Sequence, residues 1–385
     1  MVNGYSAEWL GKGFDWVYGK EVVAKHGSFS SGDAVDIVSQ EGRHLGVGIA
    51  AEGKVAVRRF RRDRGDIDAA FVKERMAAAL RRRRIPEGTT AWRWVHGEND
   101  DLPGIRVDVW GQHATLALDD RSLDCLREAV IDSVLAHPAI DTVWENTRPA
   151  HDDQRDSPVA GRCLTGDGVD ELVTVLEDGL RFEVCPRMGL DAGLYPDMRD
   201  VRGWLRPYWA GKRVLNTFAY TGAFSVAAAA NGATRVDTVD LASTAVARTK
   251  RNFELNGIDT EGHGFWTEDT FKALDRFRRT GQMFDIIVVD PPSFAHGPDG
   301  VWSVEQGLSR VLAACLRVLA PGGWVLVATN QGSLSPKEFQ KLIKAASAKV
   351  SRRLRLIHQG SPPHDIPASL DFPESRYLKA WVLEG

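Results

Sequence analysis

At 385 residues and 42.4 kDa the chain is long enough for two or three domains. It is 43% hydrophobic and 26% charged, which excludes a disordered, collagen-like or coiled-coil chain. The formal net charge of −3 conceals an asymmetry. Between positions 54 and 84 stand twelve Lys/Arg against four acids, an excess of eight, so the remainder carries about −11. Ten of the twelve are arginine, the cation suited to phosphate. Such a local excess is the footprint of a polyanion partner, and a solvated helix face is the plainer alternative.

No apolar run reaches the roughly 18 residues that span a bilayer. Glu8, Lys12, Asp15 and Lys20 make positions 1–21 unlike a signal peptide. Cys125, Cys163, Cys185 and Cys315 lie far apart without a C-x-x-C, which argues against a disulfide scaffold and a zinc site. The expectation is a cytoplasmic chain with free thiols and no bound metal.

Positions 1–66 read as short strands: Val35, Ile37 and Val38, then Val47 and Ile49, then Val55 and Val57, with glycines between them. This predicts a small β-barrel. Positions 67–84 read as a helix that Pro86 and Gly88 end. Strands are predicted at 92–95, 105–109, 114–118 and 142–145. A helix is predicted at 122–136, with Ser122 as N-cap. The stretch 146–170 is a polar surface excursion, and 172–184 is a hairpin around Asp178-Gly179. From about 186 strands and helices alternate. Strands fall at 214–218, 235–239, 264–267, 284–289 and 324–328, and helices at 222–230, 242–255, 270–280, 304–319 and 336–349. That alternation is the signature of an α/β doubly wound parallel sheet. Strands at 354–359 and 377–383, with no helix between them, predict an antiparallel pair at one edge.

Ligands of such sheets sit beyond the carboxyl ends of the strands. The first strand runs into Asn216-Thr217-Phe218-Ala219-Tyr220-Thr221-Gly222-Ala223-Phe224, without the G-x-G-x-x-G that a dinucleotide pyrophosphate needs. The second ends at Asp240-Leu241, a carboxylate for ribose hydroxyls. The third precedes Glu268-Asp269, a carboxylate for an adenine amine. A nucleoside without phosphates fits this set, and S-adenosylmethionine is the common one. The fourth ends Asp290-Pro291-Pro292-Ser293-Phe294. Two prolines fix a rigid turn and leave carbonyls as acceptors. Asp290 adds a carboxylate, and Phe294 offers a plane for stacking on a base.

On these residues the chain resembles the class I S-adenosylmethionine-dependent methyltransferases. More closely, it resembles the bacterial large-subunit ribosomal RNA methyltransferases with an N-terminal PUA domain, which make 5-methylcytosine. The resemblance extends through 97–104, 193–200, 214–224, 251–257, 290–294 and 372–379. It implies a PUA domain at about 1–66, a connecting α/β domain at 67–185 and a Rossmann-like methyltransferase domain at 186–385. It also implies cofactor contacts from Tyr195, Asp197 and Arg199, beside Asn216, Phe218, Tyr220, Thr221, Gly222, Phe224, Asp240, Leu241, Asp269 and Asp290. Ribosomal RNA is the implied partner. Arg58, Arg59, Arg61, Arg62 and Arg81, Arg82, Arg83, Arg84 are its expected phosphate contacts, and a homodimer is left open.

The chain departs from that family at its chemical centre. Carbon-5 methylation of cytosine needs a cysteine that adds to carbon 6. In the family this cysteine follows the fifth strand, where this chain has Ala328-Thr329-Asn330-Gln331-Gly332-Ser333. The other usual position, after the double proline, holds Ser293. Cys315 falls within a helix and Cys185 precedes the Tyr195 segment, so neither stands in a motif. Asn330 resembles the Asn-rich segment of ribosomal RNA methyltransferases acting on N7 of guanine. With Asp290, Pro291, Phe294 and Asn330 as catalytic candidates, methylation of a ring nitrogen or an exocyclic amine is expected over carbon-5 chemistry. A small-molecule methyltransferase, and a non-catalytic RNA-binding or assembly factor, are the alternatives.

Overall fold

Runs of β-branched residues punctuated by glycine form the strands, and the computed structural model describes residues 1–146, 161–165, 172–188, 192–297 and 300–385. The chain divides into two compact units. The first comprises Met1–Val175, Val184–Ala192 and His364–Ser375; the second comprises Leu176–Glu183, Gly193–Pro363 and Arg376–Gly385.

In the first unit, helix α1 (Gly4–Gly11) precedes β1 (Trp16–Tyr18), β2 (Ala34–Val38), β3 (His44–Ala50) and β4 (Val55–Arg61). These strands form an antiparallel sheet in the order β1-β4-β3-β2. The strand-only reading of 1–66 missed α1. Asn3 starts that helix by accepting from the Ser6 amide at 2.9 Å. Helix α2 (Ala69–Arg82) lies where predicted, with Asp68 as its cap. It packs Phe71, Val72, Met76 and Ala79 into the core of a second sheet. That sheet comprises β5 (Ala91–His96), β6 (Ile105–Trp110), β7 (His113–Leu118), β8 (Thr142–Glu145) and β9 (Arg162–Thr165), in that order. The helix predicted at 122–136 is instead a 3-10 turn, Arg121–Leu126, followed by α3 (Arg127–Leu135). Its cap is Asp120, not Ser122, because the Asp120 carboxylate accepts from the Ser122 amide at 2.9 Å. Most of the predicted 146–170 excursion lies outside the described residues.

Strands β10 (Val173–Glu177) and β11 (Leu180–Val184) form the predicted hairpin, with Asp178 and Gly179 both left-handed at φ 49° and 82°. In the second unit, α4 (Arg199–Leu205) leads into β12 (Arg213–Thr217), α5 (Ala223–Ala230), β13 (Arg235–Asp240), α6 (Ser243–Leu255), β14 (Gly264–Thr267), α7 (Thr270–Arg279) and β15 (Phe284–Val289). There follow β16 (Phe294–Gly297), β17 (Gly300–Ser303), α8 (Val304–Leu316), β18 (Leu319–Thr329), α9 (Pro336–Lys349), β19 (Arg355–Gly360) and β20 (Lys379–Glu384). Seven strands form one sheet, ordered β14-β13-β12-β15-β18-β20-β19. The first five run parallel, and β20 is antiparallel to both its neighbours. Alternate residues supply two cores. Leu215, Ile287, Val289, Val325 and Val327 pack with α7, α8 and α9. Val214, Ile286, Val288, Leu326 and Ala328 pack with α4 and α5. The strand order reverses between β12 and β15, so their carboxyl ends open a crevice there.

The basic segment requires a correction. Arg58, Arg59 and Arg83 are buried rather than presented to a polyanion. Arg59 bonds the Asp15 carboxylate at 2.7 and 2.9 Å and the carbonyls of Leu10, Leu45 and Phe14. Arg58 pairs with Asp120, and Arg83 with Asp100 and the Arg93 carbonyl. A guanidinium taken out of water needs a carboxylate, and here each has one. Arg59 and Arg83 add carbonyl acceptors, while Arg58 Nε and Arg83 Nη1 are buried without a hydrogen-bond partner among the described residues. Arg61 is half-buried against Asp63. Arg62, Arg81, Arg82 and Arg84 are exposed, with Arg82 also 3.0 Å from Asp100.

Candidate functional site

A cavity of about 810 Å³ opens at the carboxyl ends of β12, β13 and β15, within the second unit. Its wall gathers most of the candidate residues. Tyr195 and Asp197 come from the segment before α4. Asn216 is buried near the end of β12, with Phe218, Tyr220 and Thr221 in the loop after it. Phe224 opens α5. Asp240 and Leu241 end β13, Asp269 precedes α7, and Asp290 and Pro291 follow β15. Asn330 follows β18.

The loop after β12 is held in an unusual shape. Phe218 and Tyr220 have φ of 54° and 51°, a conformation that costs a non-glycine residue about 1–2 kcal/mol. Gly222, at φ 79°, caps α5. It does not line the cavity: a Cβ there would collide with the Thr249 side chain, so the residue lets α5 and α6 approach closely. Thr221 Oγ1 donates to the Gly193 carbonyl at 2.5 Å, and Asn252 Nδ2 donates to the Thr221 carbonyl at 2.9 Å. Asn216 Nδ2 donates to Ser225 Oγ at 2.9 Å, which ties the end of β12 to α5.

Both carboxylates expected to recognise a nucleoside keep free capacity. Asp240 accepts from the Tyr220 amide at 2.7 Å and the Ala242 amide at 2.9 Å, one on each oxygen. Each oxygen retains a second lone pair. Asp269 caps α7 through Oδ1 alone, accepting from the Phe271 and Lys272 amides at 2.9 and 3.1 Å, and Oδ2 is left to an outside donor. Two further acids face the cavity. Burial pushes the Asp290 carboxyl up to about 7; the neighbouring Asp197 carboxylate adds to the rise and the Arg202 guanidinium opposes it. Asp197 is fixed by the Tyr377 hydroxyl, which donates to its Oδ2 at 3.0 Å. A cation is the ligand that such a pair favours. The volume, the strand-end carboxylates and the acidic pair together fit a nucleoside carrying a positively charged centre.

Three candidates fall elsewhere. Arg199 is buried outside the cavity wall, and Arg202, one turn later, lines it. Gly222 acts through packing, as above. Phe294 is 58% exposed and off the wall, because it and the wall residue Ala295 alternate on a strand. Trp302 lines the cavity in its stead, 5.8 Å from the Phe218 ring. Its Nε1 donates to the Pro292 carbonyl at 2.8 Å, which ties the indole to the double-proline turn. Gly307 makes room for the indole, since a Cβ there would overlap it. Lys272, Phe271 and Arg310 also line the wall without having been singled out from sequence.

Arg202 is the keystone of the floor. Glu177 grips it with two bonds of 2.6 and 2.7 Å, the Tyr195 carbonyl accepts a third at 2.8 Å, and the Phe224 ring lies 5.3 Å from its guanidinium carbon. Replacing Arg202 with alanine leaves Glu177 buried without its cation, an expected loss of about 3–5 kcal/mol. Denaturant unfolding of the variant checks it. Neutralising both partners with Glu177→Gln and Arg202→Met together is expected to recover part of the loss.

The Asn330 segment is equally braced. Lys379 Nζ donates to the Gln331 carbonyl at 2.6 Å, with burial lowering the ammonium's pKa, and Gln331 Nε2 donates to Glu305 at 2.8 Å. All four cysteines are described, and none lines the cavity. Cys315 is buried in α8, where desolvation raises its thiol pKa far above the usual range. Cys185 is buried in the first unit.

Comparison with known proteins supplies the chemistry. A family model described as S-adenosylmethionine-dependent methyltransferase matches residues 122–377, and a PUA-like domain matches 2–62. The ribosomal RNA large subunit methyltransferase I of Klebsiella pneumoniae is 30% identical over 372 residues, 95% of this chain and 93% of that relative. A methyltransferase solved in complex with S-adenosylhomocysteine superposes with a TM-score of 0.91 at 24% identity, over 100% of this chain and 99% of that one. An S-adenosylmethionine-dependent methyltransferase structure from Streptococcus mutans gives 0.88 at 23% identity, covering all of both chains. At those identities the two structures speak to the fold alone.

Proposed function

We propose, from the premise that this chain belongs to the S-adenosylmethionine-dependent methyltransferases and to the large-subunit ribosomal RNA methyltransferase I family within them, that it methylates a nitrogen of a ribosomal RNA base. The observation that carries the choice of nitrogen is the cavity wall: it contains Asn330 and Ser293 is bonded to it, but it contains no thiol. Carbon 5 of cytosine becomes nucleophilic only after a thiolate adds to carbon 6. A ring nitrogen already carries a lone pair and needs only to be held in line with the methyl group.

S-adenosylmethionine, when bound, supplies an electrophilic methyl group on a positively charged sulfur. The residues of this chain do the rest. Asp240 accepts from ribose hydroxyls and Asp269 Oδ2 from the adenine amine. Asp197 and Asp290 hold the cationic end. Asp290 and the Pro291 carbonyl take an N–H of the incoming base, and Asn330 takes its edge. The base reaches them once turned out of its stack. The PUA-like domain and the exposed arginines Arg62, Arg81, Arg82 and Arg84, the last three at the end of α2 and just beyond it, hold phosphates. The same reading keeps the three-part division at about 1–66, 67–185 and 186–385, and places the chain in the cytoplasm beside its RNA.

Mass spectrometry of nucleosides from ribosomal RNA, with and without this gene, is the test. A nitrogen-methylated base lost from the deletion strain and restored by the purified protein is the expected result. Loss of 5-methylcytidine instead would overturn the reading.

A further inference from the structure

A second excess of positive charge lies in the second unit: positions 337–355 hold seven Lys/Arg against one acid. Helix α9 carries four of them, Lys337, Lys341, Lys344 and Lys349. Phe339, Ile343 and Ala346 bury one side of the helix. Lys337, Lys341 and Lys344, spaced i, i+4 and i+7, form an exposed stripe on the opposite side. The one acid, Glu338, is occupied in the capping box, where it accepts from the Ser335 amide at 2.8 Å and hydroxyl at 2.6 Å. None of the four lysines forms an ion pair among the described residues. The arginines of α7 differ: Arg276 pairs with Glu268, and Arg278 and Arg279 share Asp275 at 2.9 Å each. Lys337 and Lys341 repel each other across one turn, a cost that an outside anion removes.

The stripe starts near the cavity, since α9 begins six residues after the wall residue Asn330. Lys349 Nζ donates to Ser309 Oγ on α8 at 3.3 Å, beside Arg310. The Arg310 guanidinium carbon lies 5.3 Å from the Phe271 ring on α7, beside Lys272. Arg310 and Lys272 are exposed, line the cavity and form no ion pair among the described residues. They stand on the side of Asp269, and an adenosine without phosphates offers them no anion there.

We propose that Lys337, Lys341, Lys344 and Lys349, continued by Arg310 and Lys272, form a phosphate track that holds the RNA backbone on the second unit and leads it to the cavity. The inference rests on the ribosomal RNA reading. It deepens that reading by naming a surface other than the arginines between positions 62 and 84. An ammonium on a flexible stem is a point charge, and contacts from such charges to phosphates position a strand without reading its sequence. The two ends of the track favour RNA over an acidic protein. A base turned out of its stack brings its own flanking phosphates to the cavity, and Arg310 and Lys272 are the wall cations placed to meet them.

The test uses the full-length protein and ribosomal RNA from the deletion strain, with binding measured across a salt series. Lys337→Glu, Lys341→Glu and Lys344→Glu together are expected to weaken RNA binding about 10²-fold or more at moderate salt. The dependence of log affinity on log salt is expected to lose about 0.7–0.9 in slope for each phosphate contact removed. Affinity for S-adenosylmethionine and the melting temperature are expected to match the wild type. Reversal adds like charges beside Glu338, so the neutral set Lys337→Gln, Lys341→Gln and Lys344→Gln is measured as well, with an expected loss of about tenfold. Arg310→Ala with Lys272→Ala is expected to lower kcat/KM for RNA about tenfold without changing the Kd of S-adenosylmethionine. RNA affinity and salt slope that stay at the wild-type level in both lysine sets would overturn the track, and would leave α9 a solvated face or a seat for an acidic protein. A wall-pair variant whose loss lies in S-adenosylmethionine affinity would overturn the assignment of those two residues to RNA. Wild-type protein that neither binds nor methylates ribosomal RNA would instead overturn the reading beneath the inference.

Discussion

Asp290→Asn is expected to lower methyl transfer about 10²-fold or more, while leaving the protein folded. The carboxylate sits at the switch point of the sheet, at the end of β15, and lines the cavity with Asp197 and Arg202. Asparagine keeps its volume but trades half of its acceptor capacity for a donor, so the N–H of the base meets the wrong partner. The same residue sets a pH dependence. Burial and Asp197 hold the Asp290 carboxyl at about 7 against an ordinary value of 3.8. Below pH 7 it is protonated and neutral, and a cationic ligand must displace that proton to gain the charge. Affinity for S-adenosylmethionine is therefore expected to rise with pH, by up to about tenfold per unit well below 7, and to level off above it. In Asp290→Asn this rise should flatten. Stability runs the other way: the folded state holds a proton that the unfolded chain has lost between about pH 4 and 7, so this group's contribution falls as pH rises through that window. Calorimetry across pH 5.5–8.5, in buffers of different ionisation enthalpy, reads the proton release directly. An affinity that is flat in the wild type removes Asp290 from the cationic end of the site.

The strand ends were legible because a parallel sheet reads as apolar runs, and each run ends where its ligand residue stands. Asp240, Asp269 and Asp290 were found that way, and Asn330 through the family resemblance, and all four line one cavity. What the sequence hid was set by partners distant in the chain. Arg202 is a wall residue because Glu177, 25 positions earlier, grips it. Trp302 reaches the wall because Gly307 has no side chain, and the Pro292 carbonyl receives its indole N–H. Phe294 looked like a stacking residue by composition, but the parity of a short hairpin puts Ala295 on the wall instead. Helix α1 was missed because its mark is a single Asn3 cap in a stretch rich in glycine and aromatics. The count of basic residues failed for the same reason as Arg202: the carboxylates that neutralise Arg59, Arg58 and Arg83 stand 44, 62 and 17 positions away.

That division of the basic segment gives two variants with opposite phenotypes. Arg62→Glu, Arg81→Glu and Arg84→Glu together reverse exposed side chains, so each change should alter stability by no more than about 0.5 kcal/mol. If these arginines hold phosphates, affinity for ribosomal RNA is expected to fall about 10²-fold or more at moderate salt. The slope of log affinity against log salt should shrink by about 0.7–0.9 for every phosphate that is no longer neutralised. Arg59→Ala is the converse. It leaves the Asp15 carboxylate buried without its cation, with desolvation already raising that group's pKa, and abandons three carbonyls. Its expected loss is about 3–5 kcal/mol of stability in the first unit. At a temperature where the variant is folded, its salt slope should match the wild type. Melting curves and salt-dependent RNA binding, measured on both proteins, separate the two roles. A triple-reversal protein that binds ribosomal RNA with unchanged affinity and slope would make the exposed arginines a solvated surface, and would assign the grip on phosphates to other parts of the chain.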